Sequence, residues 1–197
     1  MAKEEVIKEM GDDNGIPDQK IKEVYVLLLI GCVNRSIKTH IHLQKELFLF
    51  SKILNPELAS VFSFNEHNFG PYDSEVEEII ETPFYYEGAF KEEGNSRITL
   101  TSQGQKYYKE LIDKNKDNEK FQYLLSSLKL LREIYDSLST DEFLFLVYTS
   151  YPNFEKNSEI YNNLIKNAKI RKQILESLLN KGIISKEKYM ELYSLYD

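Results

Sequence analysis

Cysteine is almost missing from this chain. The one present, Cys32, can form no internal disulfide and no multi-cysteine zinc site, and its place in an apolar run marks it as a buried structural thiol. Glycine and proline are scarce as well, at 8 and 5 of 197 residues, below an average usage of about 7% and 5%. With so few breakers the chain is expected to be mainly helical. The longest apolar run, Val24 to Val33, has ten residues, whereas a membrane-spanning helix needs ~18 or more. The start, Met1-Ala2-Lys3-Glu4-Glu5, lacks the basic-then-apolar order of a secretory signal. A cytoplasmic location with no membrane partner is therefore expected.

Catalytic and metal-binding patterns are also lacking. Of three histidines, His40 and His42 stand at i, i+2, which sends them to different sides of a helix, whereas helical metal pairs need i+3 or i+4. Asp73, Glu75, Glu77 and Glu78 are dense but lack the spacing of a calcium-binding loop. The chain contains no glycine-rich phosphate loop, no Gly-x-Ser-x-Gly elbow and no Cys-His arrangement. A non-enzyme with no metal and no cofactor is expected.

What the chain does have is 42% hydrophobic and 13% aromatic residues, enough for a real core. Residues 1–16 read as a charged flexible tail. From Pro17, the set Ile21, Val24, Tyr25, Leu28 and Cys32 has helical spacing, and Thr39 is suited to cap a second helix with a Leu43, Leu47, Phe50, Leu54 stripe. Asn55-Pro56 starts a short helical turn, and Phe62 to Asn65 alternates like a strand. After a Gly70-Pro71 turn, Ser74 to Glu77 reads as a capping box opening a third helix that Pro83 stops. Phe84–Phe90 reads as a strand, Glu92–Ser96 as a hairpin tip and Arg97–Thr101 as the returning strand.

Ser102 to Gln105 reads as a further capping box. A long amphipathic helix over Phe121–Leu138 follows and is expected to form a hairpin with a helix capped by Ser139-Thr140-Asp141-Glu142. Helices near 158–180 and 185–195 join at Lys181-Gly182. The expected fold is mainly α with a small β-hairpin: a winged helix-turn-helix followed by a helical C-terminal extension. Its expected parts are a winged-helix domain at 17–112, a helical hairpin at 113–165 and a C-terminal helical hairpin at 166–197.

Three motifs carry a resemblance. The helix Thr39-His40-Ile41-His42-Leu43-Gln44-Lys45-Glu46-Leu47-Phe48, the turn Phe69-Gly70-Pro71-Tyr72-Asp73-Ser74 and the segment Leu100-Thr101-Ser102-Gln103-Gly104 resemble, in order, the Leu-Gln-Lys helix, the Tyr/Phe-Gly-Pro-Tyr/Phe-Ser turn and the Leu-Thr-x-x-Gly segment of YwgA-like winged-helix proteins and the related Panacea antitoxin domains. The likeness covers 39–112 and extends to about 152 through Val147-Tyr148-Thr149-Ser150-Tyr151-Pro152. It implies a winged-helix fold with a role in toxin neutralisation, regulation or protein interaction, and no catalytic chemistry. Ile174–Leu192 is similar in pattern to the short oligomerisation helices called SHOCT.

By the residues themselves, Gly70 is expected at positive φ, Pro71 to fix the chain's entry angle and Tyr72 to pack its ring. The whole turn reads as scaffold. Gln44 and Lys45 are placed on the less apolar side of their helix, Gln44 tying down a loop backbone.

Charge decides the expected partner. With 25 Lys and Arg against 32 Asp and Glu, the net charge is −7, which opposes generic phosphate binding. Between Ile53 and Phe90 there is no Lys or Arg and there are eight acids, so the third helix would repel a polyanion from the surface that a winged helix offers to DNA. About twenty residues separate it from the second helix, where a helix-turn-helix uses 3 to 4. A basic protein partner engaging Asp73, Glu75, Glu78 and Glu81 is expected.

The alternative is a dimeric DNA-binding regulator that gathers Arg35, Lys38, Lys91 and Arg97 with the face that Lys166, Lys169 and Lys172 form within the basic cluster Lys166, Lys169, Arg171 and Lys172. Residues 158–197 are the net basic segment, with seven bases against five acids, and their attraction to the acidic helix of a second copy would make a homodimer. A third possibility is a structural subunit docking through the long helix, and an exposed apolar stripe on that helix is the feature that supports it.

Overall fold

The computed structural model describes residues 17–54, 56–155, 158 and 160–195. The tail expected at 1–16 lies outside the described residues. The protein is mainly helical with a two-stranded antiparallel hairpin. It divides into two compact units, one comprising 17–64 and 73–136 and the other 65–72 and 137–195. The division thus falls at Asp136–Ser137 rather than at 113 and 166.

In the first unit, helix α1 (Asp18–Gly31) is buried from Ile21 through Ile30, its charged Lys22 and Glu23 included. Pro17 precedes the first helical residue instead of occupying it. Around α1 pack α2 (His40–Leu49), α3 (Ser74–Glu81), α4 (Ser102–Lys114) and α5 (Glu119–Tyr135), together with strand β2 (Arg97–Leu100). Helix α5 belongs to this core through Phe121, Leu124, Leu128 and Leu131.

Strand β1 (Phe90–Glu93) pairs with β2, Phe90 opposite Leu100. Ile37, between α1 and α2, exchanges both backbone hydrogen bonds with Ile98 of β2, at 2.9 and 3.0 Å. The order in this unit is thus helix, short extended segment, two helices and a hairpin whose second strand pairs with that segment. Between α2 and α3 run a π-helical turn (Phe50–Leu54) and a 3-10 turn (Pro56–Ser60), so the long connection is itself structured.

Four local readings are corrected. The N-cap of α3 is Asp73, whose carboxylate accepts from Glu75 N–H, and not Ser74. That of α4 is Thr101, accepting from Gly104 N–H, and not Ser102. Phe62–Asn65 forms no strand; Asn65 makes an isolated bridge to Tyr72. Phe84–Tyr86 is not strand either, because the buried Glu23 carboxylate takes the N–H groups a ladder would need: Phe84 and Tyr86 donate at 2.9 and 3.0 Å and Tyr85 at 2.7 Å. Thr39 caps α2 as expected.

The second unit contains α6 (Thr140–Ser150), a π-helical turn (Asn162–Lys166), α7 (Ala168–Asn180) and α8 (Lys186–Leu195). Ser139 and Glu142 form a complete capping box on α6. Lys181 then donates to both Glu142 oxygens, at 2.6 and 2.9 Å, and to Ser137 O, tying the start of α6 to the end of α7. Between α7 and α8, Gly182 at φ +68° donates to Leu179 O and Ile183 to Leu178 O, the paired bonds of a Schellman turn. The two helices form the C-terminal hairpin. Among the described residues no helix is long and apolar enough to cross a membrane.

Candidate interaction surface

Helix α3 is amphipathic: Val76, Ile79 and Ile80 face the core, while Ser74, Glu75, Glu78 and Glu81 are exposed. Its entry is held from inside. The Gln44 side chain accepts from Asp73 N–H and donates to Asp73 O, both at 3.0 Å, so the Leu-Gln-Lys helix grips the main chain just after the Gly70-Pro71 turn. Gly70 adopts φ +79°, as the turn requires, and the Tyr72 ring stacks on His67 with centroids 4.6 Å apart.

Asp73 is not a surface acid. Only 2% exposed, it accepts from Lys22 Nζ and from Ser63 N–H, each at 2.8 Å. Removing it from the partner surface is required, because a carboxylate so engaged has no face left for a ligand. Glu75, 55% exposed, shares the same Lys22 at 2.9 Å. Glu78 and Glu81 remain as outward acids. Beside them Glu77 is bound by His40 Nδ1 at 2.6 Å, and His40 Nε2 lies 3.3 Å from Glu92 of the hairpin. His40 is thus a link between α3 and the wing, its pKa raised chiefly by the hydrogen bond to Glu77.

Gln44 and Lys45 are both buried, which overturns their assignment to a less apolar side. Burial holds the Lys45 amine down at about 7 and pushes the neighbouring Glu46 carboxyl up to about 8. Glu46 lies 3.3 Å from buried Arg132. Arg132 in turn donates to Leu29 O, Arg35 O and Ser36 O and to both Asp136 oxygens, satisfying carbonyls at the C-terminal end of α1. Leu43 is wholly buried.

Of the bases proposed for nucleic acid, Lys38 and Arg97 flank the antiparallel Ile37–Ile98 bridge. Arg35 is ion-paired with Asp136, Lys91 with Glu93 and Lys172 with Glu176. Lys38, Arg97 and Lys169 are exposed, and Lys166 Nζ lies 5.9 Å from the Tyr161 ring centroid. Arg171 is interior, donating to Ile165 O at 2.8 Å, while the face expected from Lys166, Lys169 and Lys172 does not include it. A cleft of about 250 Å³ is lined by Cys32, Arg35, Gln105 and Tyr108 among others. Burial pushes the Cys32 thiol up to about 12, so it stays protonated and poorly nucleophilic. Among the described residues no three His, Cys, Asp or Glu are grouped to hold a metal ion.

One feature escaped the sequence reading, and a stripe it had named is present. Phe84, 73% exposed, lies three positions after the end of α3, and its flanking Pro83 was the available signal against a strand. On α5, Tyr123, Leu130 and Ile134, exposed by 73%, 56% and 39%, fall on one helical face. Compared with known proteins, the chain matches no family model, and it has no significant match to a curated protein or a solved structure.

Proposed function

We propose that this protein is a non-enzymatic, winged-helix interaction module that binds a basic protein partner through the outer face of α3, in the manner of an antitoxin. The observation that carries the reading is the exposure of Glu78 and Glu81, with Glu75 beside them, in a stretch from Ile53 to Phe90 that holds no Lys or Arg. Such a face steers a basic protein and repels a polyanion. The three motifs that resemble those of YwgA-like and Panacea proteins support it, and Leu43, Gln44, Gly70, Pro71, Asp73 and Gly104 among their residues are buried.

The test sets the intact chain beside Glu75→Gln/Glu78→Gln/Glu81→Gln. Both are immobilised against host lysate over a salt series, and duplex DNA anisotropy is read on each. A basic protein retained by the native chain, released by salt and lost from the variant is the expected result. Tight, salt-sensitive DNA binding, or a complex indifferent to the substitutions, overturns it.

A second function is favoured by the α5 stripe: docking of Tyr123, Leu130 and Ile134 into a larger assembly. Leu130→Asp would then shift the sedimenting mass in host extract, while α3 substitutions would leave it unchanged.

A further inference from the structure

We infer that Phe84 is the apolar anchor of the α3 surface, inserted into a socket on the basic partner; this rests on the proposed acidic-surface function and adds the contact that gives it affinity. A Phe exposed by 73% offers apolar area whose burial by a partner would be favourable. The loop beneath it is built. Three successive N–H groups, of Phe84, Tyr85 and Tyr86, converge at 2.7 to 3.0 Å on Glu23, a fully buried carboxylate on α1. Charge-assisted bonds to main-chain donors are strong, so the backbone under Phe84 is fixed.

The neighbours on either side anchor the loop further. Tyr86 turns inward against Tyr107, with centroids 5.3 Å apart. The Tyr85 ring meets Phe84 edge-on at 4.9 Å, and Lys20 engages that same ring at 5.7 Å. The result is a projecting aromatic ring on a rigid pedestal. An anchor already held in its bound backbone conformation loses little freedom on binding, and aromatic anchors ringed by polar groups dominate binding energy.

Charge names the occupant. Glu81 and Glu87, each three positions from Phe84, are exposed, as are Glu78 and Glu75 on the adjoining helix. A socket that accepts the ring must therefore carry Lys or Arg on its rim, which is the surface of a basic protein and not of a nucleic acid or a neutral lipid.

The experiment uses the full chain and two synthetic helical peptides of equal positive charge, one Lys/Leu amphipathic and the other Lys/Gln, with affinities from calorimetry at low and near-physiological salt. The native chain is expected to prefer the Lys/Leu peptide by about tenfold, from partial burial of one aromatic side chain. Phe84→Ala should erase that preference and leave the Lys/Gln affinity and the thermal midpoint unchanged, because the ring is exposed in the free protein. Phe84→Leu should restore part of it. Glu78→Gln/Glu81→Gln/Glu87→Gln should weaken both peptides and flatten their salt dependence. Equal binding of the two peptides, or a preference that survives Phe84→Ala, overturns the anchor while the acidic-surface function stands. No binding of either peptide at low salt overturns both.

Discussion

Lys22 and Asp73 meet inside the protein at 2.8 Å with almost no exposure, and their coupling can be measured by a double-mutant cycle. In Lys22→Met the Asp73 carboxylate keeps the N–H groups of Ser63 and Glu75 at 2.8 and 3.0 Å, so the buried charge is only partly abandoned. Breaking a buried pair costs about 3–5 kcal/mol, and those two bonds place the expected loss near the lower end, about 3 kcal/mol. In Asp73→Asn one oxygen still caps α3, but the amide presents a donor to Ser63 N–H and to Lys22. Lys22 then retains Glu75 at 2.9 Å, and about 3 kcal/mol is again expected.

With both changes no uncompensated charge remains, so the double variant should lose about 4 kcal/mol and the coupling should be about 2 kcal/mol. Denaturant titrations of the four proteins give these numbers, and a small domain with about 5–15 kcal/mol of stability leaves room to read them. Amide exchange supplies an independent check: Ser63 N–H should exchange faster in Asp73→Asn and hardly change in Lys22→Met. Single losses that add to within about 0.5 kcal/mol would refute the interior pair and return Asp73 to the surface.

Other outcomes follow from the same interior. In Glu23→Gln, one oxygen can still accept from Tyr85 and Tyr86 while the new amide faces Phe84 N–H, so a loss of about 2 kcal/mol with faster exchange confined to Phe84 is expected; unchanged exchange there would mean the pedestal is not as described. Glu46 has its carboxyl pushed up to about 8 by burial, so the folded state holds a proton that the unfolded state releases above its ordinary value of 4.5. Stability from this group is present at low pH and lost as pH rises toward 8, at up to about 1.4 kcal/mol per pH unit. Glu46→Gln should match the native chain near pH 5 and exceed it near pH 8, and parallel pH profiles would contradict this. Gly104→Ala would drive a methyl into the Ala89 carbonyl oxygen, and a fall of several degrees in thermal midpoint is expected.

Elements decided by neighbours in the chain were legible in advance. The Ser139–Glu142 capping box, Thr39 at the start of α2 and the Lys181-Gly182 turn follow from local residue chemistry, and the structure keeps them. Elements decided from a distance were not. Asp73 and Ser74 are equally good caps by type, and the choice between them is made by Ser63, Lys22 and Gln44. Phe84–Tyr86 has strand-forming residues, but Glu23, more than sixty positions earlier, takes its donors. The periodicity of α5 declared an apolar face without saying which helices would cover it. At the candidate surface the acidic stretch was readable, whereas the burial of Asp73 depended on Lys22, Gln44 and Ser63, remote in sequence.

The Gln44 clamp holds only main-chain atoms of residue 73. It is therefore blind to the side chain there, so Ser in place of Asp73 would seat the same helix, since both side chains cap well. The carboxylate, unlike a hydroxyl, brings a charge into the interior that Lys22 must balance. Evolution at these two positions should consequently be linked: descendants or relatives that exchange Asp73 for Ser are released from keeping Lys22, and those that keep Asp are not. Covariation of 22 with 73, against drift at 78, 81 and 84, would separate inherited scaffold from a changeable choice of partner.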